Sequence, residues 1–302
     1  MNAPILTGSA SWTDPTLIAC GRFYPPGCTT AQARLRHYAS VLPLVEVDSS
    51  YYGMPTPHNS RLWAERTPPG FVFNVKAFSV FTGHATRPEA MGRDIAAALA
   101  PLGQEAYDYA GLPDEIRTEL WRRFALALAP LKQAGKLGAV HFQFSPRVRH
   151  TAAAEAHVAH CVDSLPGHLL SVEFRHASWF AAEALERTLA FEREAGVAHT
   201  VVDAPQGVAN SVPCVWEATH PKLALVRLHG RNRAAWGNVR GTASSSRFDY
   251  RYSEAELAAM VPEIEQLATQ AEAVHVVFNT NHQDQGQVHA RMMRELLRMK
   301  RR

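Results

Sequence analysis

The chain of 302 residues has four cysteines, no long uncharged apolar run and almost no imbalance of charge. Each absence removes a class of protein. Cys20, Cys28, Cys161 and Cys214 form no C-x-x-C pair and are too sparse for a disulfide framework, so they read as reduced structural thiols. No apolar stretch approaches the roughly 18 residues of a membrane helix. The opening MNAPILTGSASW also lacks the basic start and hydrophobic segment of a signal peptide, which makes the cytoplasm the expected compartment. With 31 Lys and Arg against 28 Asp and Glu, the net charge of +3 gives no chain-wide field for nucleic acid or an anionic membrane. A small-molecule or nucleotide-like ligand is therefore favoured over nucleic acid as partner, with the oligomeric state left open. The 18 Gly and 19 Pro exclude collagen and low complexity, and a hydrophobic content of 46% supplies a globular core.

What is present is a repeated alternation of short strands and helices. Strand patterns occur at ILTGS (5–9), LVEVD (44–48), FVFNVK (71–76), AVHFQF (139–144), LLSVEFR (169–175), HTVVD (199–203), LALVRLH (223–229) and VHVVFN (274–279). Between most of them lie helical patterns: Leu35 with Tyr38 and Ala39; Leu62 with Trp63; Ile116, Leu120, Phe124 and Leu128, closed by Gly135; Leu185 with Leu189, stopped by Gly196. Ser253 and Glu256 have capping-box spacing. A final helix over about 284–300 ends in Lys300, Arg301 and Arg302, cations that suit a helix C-terminus. Eight strands alternating with helices predict an α/β fold, a closed (β/α)8 TIM-type barrel in one domain over 1–302, with an open doubly wound sheet as competitor. The stretch of about 77–136 between the third and fourth strands predicts an enlarged helical insertion, a lid or a packing embellishment, with a helix near 88–99 and another over 114–134.

Side-chain parity then locates a candidate site. If Val45 and Val47 face helices, Leu44, Glu46 and Asp48 face the interior. The same alternation places Asn74, Lys76, His141, Gln143, Ser171, Glu173, Arg175, Asp203, Arg227, His229 and Asn279 inside, most of them toward the C-terminal strand ends, where barrel enzymes build their sites. Glu46, Glu173 and Asp203, with His229 and Lys76, form a candidate catalytic set, because crowded carboxylates split into acid and base. A buried, mutually satisfied ion network is the structural alternative. Arg175 and Arg227, with Trp12, Tyr52, Gln143, Asn279 and Asn281, form a candidate substrate-binding set. Loop aromatics Phe23, Tyr24, Tyr51, Trp179 and Trp236, with Arg231, Asn232, Arg233 and Arg240, suggest a stacking and anion-binding rim. His84, following Thr82 and Gly83, reads as a hydrogen-bonded loop histidine near Lys76.

No resident metal or other cofactor is expected. The alternative is Mn²⁺, Mg²⁺ or Zn²⁺ on Glu46, Glu173, Asp203 and His229, as in metal-dependent isomerases or phosphodiester hydrolases. No H-x-H or H-E-x-x-H spacing supports it, and nearby cations oppose it. The loop GNVRG lacks the spacing of a phosphate-binding glycine motif. A glycosidase of the common barrel type needs carboxylates after strands four and seven, where Gln143 and Arg227 stand instead.

The segments SWTDPTLIACGRFYPPG, LVEVDSSYYGMPTP, WAERTPPGFVFNVKAF with TGH, VEFRHASW, NSVPCVWEAT, VRLHGRN and FNTNHQDQGQVHAR resemble the "domain of unknown function 72" family, also called YecE-like, from about residue 5 to 297. The resemblance implies a single TIM-type barrel and no established reaction. Four positions depart from the family pattern: Ser9 and Ala10 stand where Thr-Ser is usual, Thr280 where Asn is usual, and Asp48 where many relatives have Asn. Taken together, the residues predict an enzyme, a hydrolase or an isomerase, acting on a polar or anionic small molecule through carboxylate acid/base groups. A non-catalytic ligand or nucleic-acid binding module is the reading from a different class.

Overall fold

The structure, a computed structural model, describes residues 3–236 and 248–300. Arg240, the loop GNVRG, Arg301 and Arg302 lie outside them.

Eight parallel strands close on themselves in sequence order: β1 (Ile5–Ala10), β2 (Leu44–Val47), β3 (Val72–Lys76), β4 (Leu137–Gln143), β5 (Leu170–Glu173), β6 (Ala198–Asp203), β7 (Ala224–Leu228) and β8 (Val274–Phe278). Closure is made by β1 on β8, in register from Ile5 with Val274 to Ser9 with Phe278. The chain is a (β/α)8 barrel. No open sheet edge remains, so the doubly wound alternative is set aside.

Helices α1 (Pro15–Ala19) and α2 (Ala31–Val41) follow β1, and α3 (Pro57–Glu65) follows β2. After β3 come α4 (Pro88–Met91), α5 (Arg93–Leu99) and α6 (Asp114–Gln133). The helix expected near 88–99 is thus divided at Gly92, whose φ of 116° no helix accommodates. The insertion is tied into the core: Ile95, Leu99, Tyr107 and Leu112 are buried, and Phe81 stacks on Trp121 of α6 at 3.7 Å. Helices α7 (Ala152–Ser164) and α8 (Ala182–Glu194) follow β4 and β5, α9 (Arg233–Trp236) and α10 (Glu254–Gln270) follow β7, and α11 (Gln285–Lys300) follows β8. The Ser253–Glu256 capping box forms in both directions at the start of α10. Residues 204–223, between β6 and β7, carry no helix. Pro205, Pro213 and Pro221 each remove a backbone donor there, and Gly207 takes a positive φ.

Two kinds of core result. Between strands and helices lies a continuous apolar layer, which includes Val45, Val47, Val75, Val140, Val172, Val226 and Val276. Inside the barrel, Ala10, Leu44, Leu225 and Val277 form a separate small cluster. A Cβ on Gly8 would lie 2.0 Å from the Leu44 carbonyl oxygen, so β1 can approach β2 only with glycine at that position. Above this cluster the interior is polar. Such an arrangement leaves the C-terminal half of the barrel available to charged side chains.

Candidate active site at the barrel mouth

Arg227 of β7 is fully buried and stands at the centre of the interior. It donates to Glu46 of β2 through Nη2 (2.6 Å) and Nε (3.1 Å), and to Glu173 of β5 through Nη1 (2.5 Å). Glu173 Oε1 accepts from Gln143 Nε2 (2.9 Å), Arg175 Nη1 (3.0 Å) and His229 Nε2 (3.1 Å). His141 Nε2 lies 3.4 Å from Glu173 Oε2 without hydrogen-bond geometry. Burial pushes the Glu173 carboxyl toward its neutral form, but Arg227 and the histidine contacts outweigh that and hold it well below the usual carboxylate range. Glu173 is therefore held ionised, with three donors on Oε1 and Arg227 on Oε2.

The histidines beside it are neutral. His229 Nδ1 accepts from the Asn279 amide at 2.9 Å, which leaves the proton on Nε2 for Glu173. Burial, reinforced by Arg227 and Arg175 against the pull of Glu173, lowers its pKa to about 3. His141 is lowered too, first by burial and then by Arg227. Its Nδ1 meets Ser171 Oγ at 3.0 Å.

Above this fully buried tier is a second one that reaches solvent. Lys76 and Arg175 are each 7% exposed. Lys76 Nζ donates to Asp48 at 2.9 Å and sits 4.6 Å from the centre of the Tyr51 ring. Burial raises the Asp48 pKa, yet Lys76 outweighs it and the net shift is downward. The Arg175 guanidinium lies 5.5 Å from the Trp236 ring, and its buried Nε has no hydrogen-bond partner among the described residues. His84 packs edge-on against Tyr51 at 5.2 Å. Its pKa falls to about 4, first through burial, then through Lys76 and Arg175. Because Thr82 Oγ1 donates to the Ser79 carbonyl, it accepts from His84 Nδ1 at 2.9 Å, and the lone pair is left on Nε2.

Glu46, Glu173, His229, Arg227, Arg175, Gln143 and Asn279 are thus brought together as parity requires, and Lys76 lies at the edge. Asp203 is not with them. β6 pairs with β7 so that Val202 aligns with Arg227 and Asp203 with Leu228, a residue of the outer core. Parity therefore turns Asp203 outward, where it accepts from Arg231 Nε (3.0 Å) and Nη2 (2.8 Å) and from Tyr252 Oη (2.5 Å). Trp12 is also misplaced by the sequence reading: it is 6% exposed and packs edge-on against Trp63 and Phe73 in the outer core. Tyr52 is 68% exposed, and its neighbour Tyr51 is the ring that meets Lys76. The Asn281 carbonyl accepts from Thr16, and its buried Oδ1 has no partner among the described residues. Thr280 binds His289 of α11, away from the interior. Of the expected rim, Arg231 is occupied by Asp203, and Arg233 donates to the Gln206 carbonyl. Phe23, Tyr24 and His37 pack on one another, and Trp179 stacks on Phe174 at 3.6 Å.

The alternative metal set does not fit. The Arg227 guanidinium occupies the space between Glu46 and Glu173, and Asp203 is on the other face of the sheet. Among the described residues no group of three or more His, Cys, Asp or Glu is arranged to hold a metal ion.

The family model for the protein of unknown function DUF72 matches residues 6–302. The chain belongs to the DUF72 family. It is 32% identical over 295 residues to UPF0759 protein YunF of Bacillus subtilis (strain 168), covering 97% of this chain and 94% of that one. A DUF72 family protein from Enterococcus faecalis V583 superposes with a TM-score of 0.79 at 26% identity, covering 97% of this chain and 95% of the other. One from Thermotoga maritima MSB8 does so with a TM-score of 0.76 at 24% identity, covering 98% and 99%. The DUF72 chain thus shares its barrel with solved relatives, and the family description carries no activity. No described helix is long and apolar enough to cross a membrane.

Proposed function

We propose that this DUF72 protein is an enzyme that binds a small molecule by a carboxylate or phosphate group at the C-terminal mouth of the barrel and moves a proton there. Lys76 and Arg175 hold the anionic group. His84, neutral and with its lone pair on Nε2, accepts the proton. Tyr51 and Trp236 flank the two cations and suit a planar or nucleotide-like body. Proton transfer of this kind serves an isomerase and a hydrolase alike.

The observation that carries the reading is the pair Lys76 and Arg175: both are nearly buried, both reach the mouth, and both depress His84. Cations so desolvated bind an anion more strongly than exposed ones do. Glu46 and Glu173 are assigned to orienting Arg227, Arg175 and His229, because each of their contacts is already taken up within the chain.

A panel of small carboxylates and phosphate esters tests this by thermal shift, since a ligand that binds the native state must stabilise it. A stabilising ligand should lose its effect in Lys76→Met. Turnover of that ligand should be lost in His84→Gln while binding persists. The reading fails if the shift survives Lys76→Met. Binding that depends on Lys76 without turnover of any ligand would instead favour a non-catalytic binding module, which the locked carboxylates also allow.

A further inference from the structure

The opposite end of the barrel carries a second opening with its own chemistry. A cavity of about 350 Å³ lies at the N-terminal strand ends, lined by Val72 of β3, Gly138 of β4, Leu169 before β5, Lys222 before β7 and His275 of β8. Its size falls within the range of small-ligand sites, which begins at roughly 300 Å³. Four basic side chains line it: Lys132, His168, Lys222 and His275. No acidic residue lines it. Neither lysine takes part in an ion pair among the described residues, although the surface has partners for many other cations.

The positions of these groups are specific. The Lys132 ammonium, from the last turn of α6, lies 3.4 Å from where a Cβ on Gly167 would stand. Gly167 has a φ of +69°, which disfavours any side chain there and keeps that space for the ammonium. His168 Nδ1 donates to the Leu165 carbonyl at 3.2 Å, and its Nε2 is buried with no partner among the described residues. At the floor, His275 is 5% exposed and its Nδ1 meets Asn74 Oδ1 at 3.0 Å. Because that oxygen also accepts from the Ala139 N–H, the histidine must be the donor, and its Nε2 is left as an acceptor. The Asn74 Nδ2, buried directly behind Gly138, has no hydrogen-bond partner among the described residues. A Cβ on Gly138 would sit 2.4 Å from Asn74 Oδ1 and 3.0 Å from His275 Cε1, so glycine is required to keep the floor open.

We infer that this cavity binds a small phosphorylated polyol, with Lys132 and Lys222 around the phosphate, His168 beside them, and a hydroxyl donating to His275 Nε2. Unpaired cations at the rim select the dianion, and unused polar atoms at the floor select a hydroxylated rather than an apolar body. The site is at the other end of the barrel from Lys76 and Arg175, so it stands whether or not the mouth is catalytic.

The test follows the His168 ring resonance, identified by its loss in His168→Gln, during titration with inorganic phosphate and with glycerol 3-phosphate. Both should move it saturably, glycerol 3-phosphate at the lower concentration. Lys132→Ala and Lys222→Ala should each weaken the titration about tenfold, the order of one charge-assisted hydrogen bond, while Lys76→Met leaves it unchanged. Both lysines are exposed, and if either alanine variant fails to fold, the glutamine variant of the same lysine takes its place. The inference is overturned if His168 does not respond, if potassium chloride at matched ionic strength moves it equally, or if neither lysine change alters the titration. Equal midpoints for the two ligands would overturn the polyol assignment.

Discussion

Arg227 grips Glu46 across the barrel through two nitrogens, Nη2 at 2.6 Å and Nε at 3.1 Å, with both side chains fully buried. The third nitrogen holds Glu173, so a single guanidinium joins β2, β5 and β7. Burying such charges costs several kcal/mol each unless every partner is in place, and here the partners are in place. This network determines which groups remain for a ligand: those above it.

Glu173→Gln should destabilise the protein by about 3–5 kcal/mol, the usual cost of breaking a buried ion pair. It removes the charge that balances Arg175 and half of Arg227. Glu46→Gln should cost less, because Arg227 keeps Glu173. Denaturant melts of the two variants check the order. An unchanged midpoint for Glu173→Gln would show that its charge is not structural.

Stability should fall as the solution is acidified from about pH 6.5, before ordinary carboxylates titrate. His229 is fully buried, His275 nearly so, and both are neutral, with pKa values lowered to about 3 and about 4, chiefly by burial. Between those values and about 6.5 the unfolded chain binds protons that the native chain does not, so each costs about 1.4 kcal/mol per pH unit in that window. Glu173, depressed in its turn, acts in the same direction: its contribution is present above the unfolded carboxylate pKa and is lost as pH falls toward its folded value. Melting scans from pH 8 to 4 should be flat above neutrality and decline below about 6.5. A flat profile down to pH 5 would contradict the burial of these rings.

Asp203→Asn should lower stability by roughly 1–3 kcal/mol, since it weakens the pair with a partly wet Arg231 and a charged acceptor for Tyr252. Ligand affinity at the mouth should change far less than in Lys76→Met. The reverse order would return Asp203 to the binding site.

Strand number, barrel closure and the inward set on β2, β3, β4, β5, β7 and β8 were legible because apolar and polar residues alternate there. In β6 they do not. Polar residues fall on both of its faces, Thr200 inward and His199 and Asp203 outward, with Val201 and Val202 adjacent between them, so nothing in HTVVD marks which face is inside. A polar residue at the strand end suggested the interior, and only the alignment of Val202 with Arg227 shows otherwise. The loops were harder. Tyr51 and Tyr52 are adjacent and alike, and a short helical turn over Ser49–Tyr51 decides which ring covers Lys76. His84 was visible as a loop residue near Lys76 in the chain. Its nearness to Arg175, 91 positions away, follows from barrel closure and leaves no trace in local sequence.

The account rests most on the claim that Lys76 and Arg175 form an anion site sensed by His84. A pH titration of the His84 ring resonance, with and without inorganic phosphate, measures it directly. The account predicts a pKa near about 4 in the free protein, a rise when phosphate neutralises the cations, and loss of that rise in Lys76→Met. A His84 that titrates at its ordinary value near 6.5, or one that phosphate does not move, would contradict it.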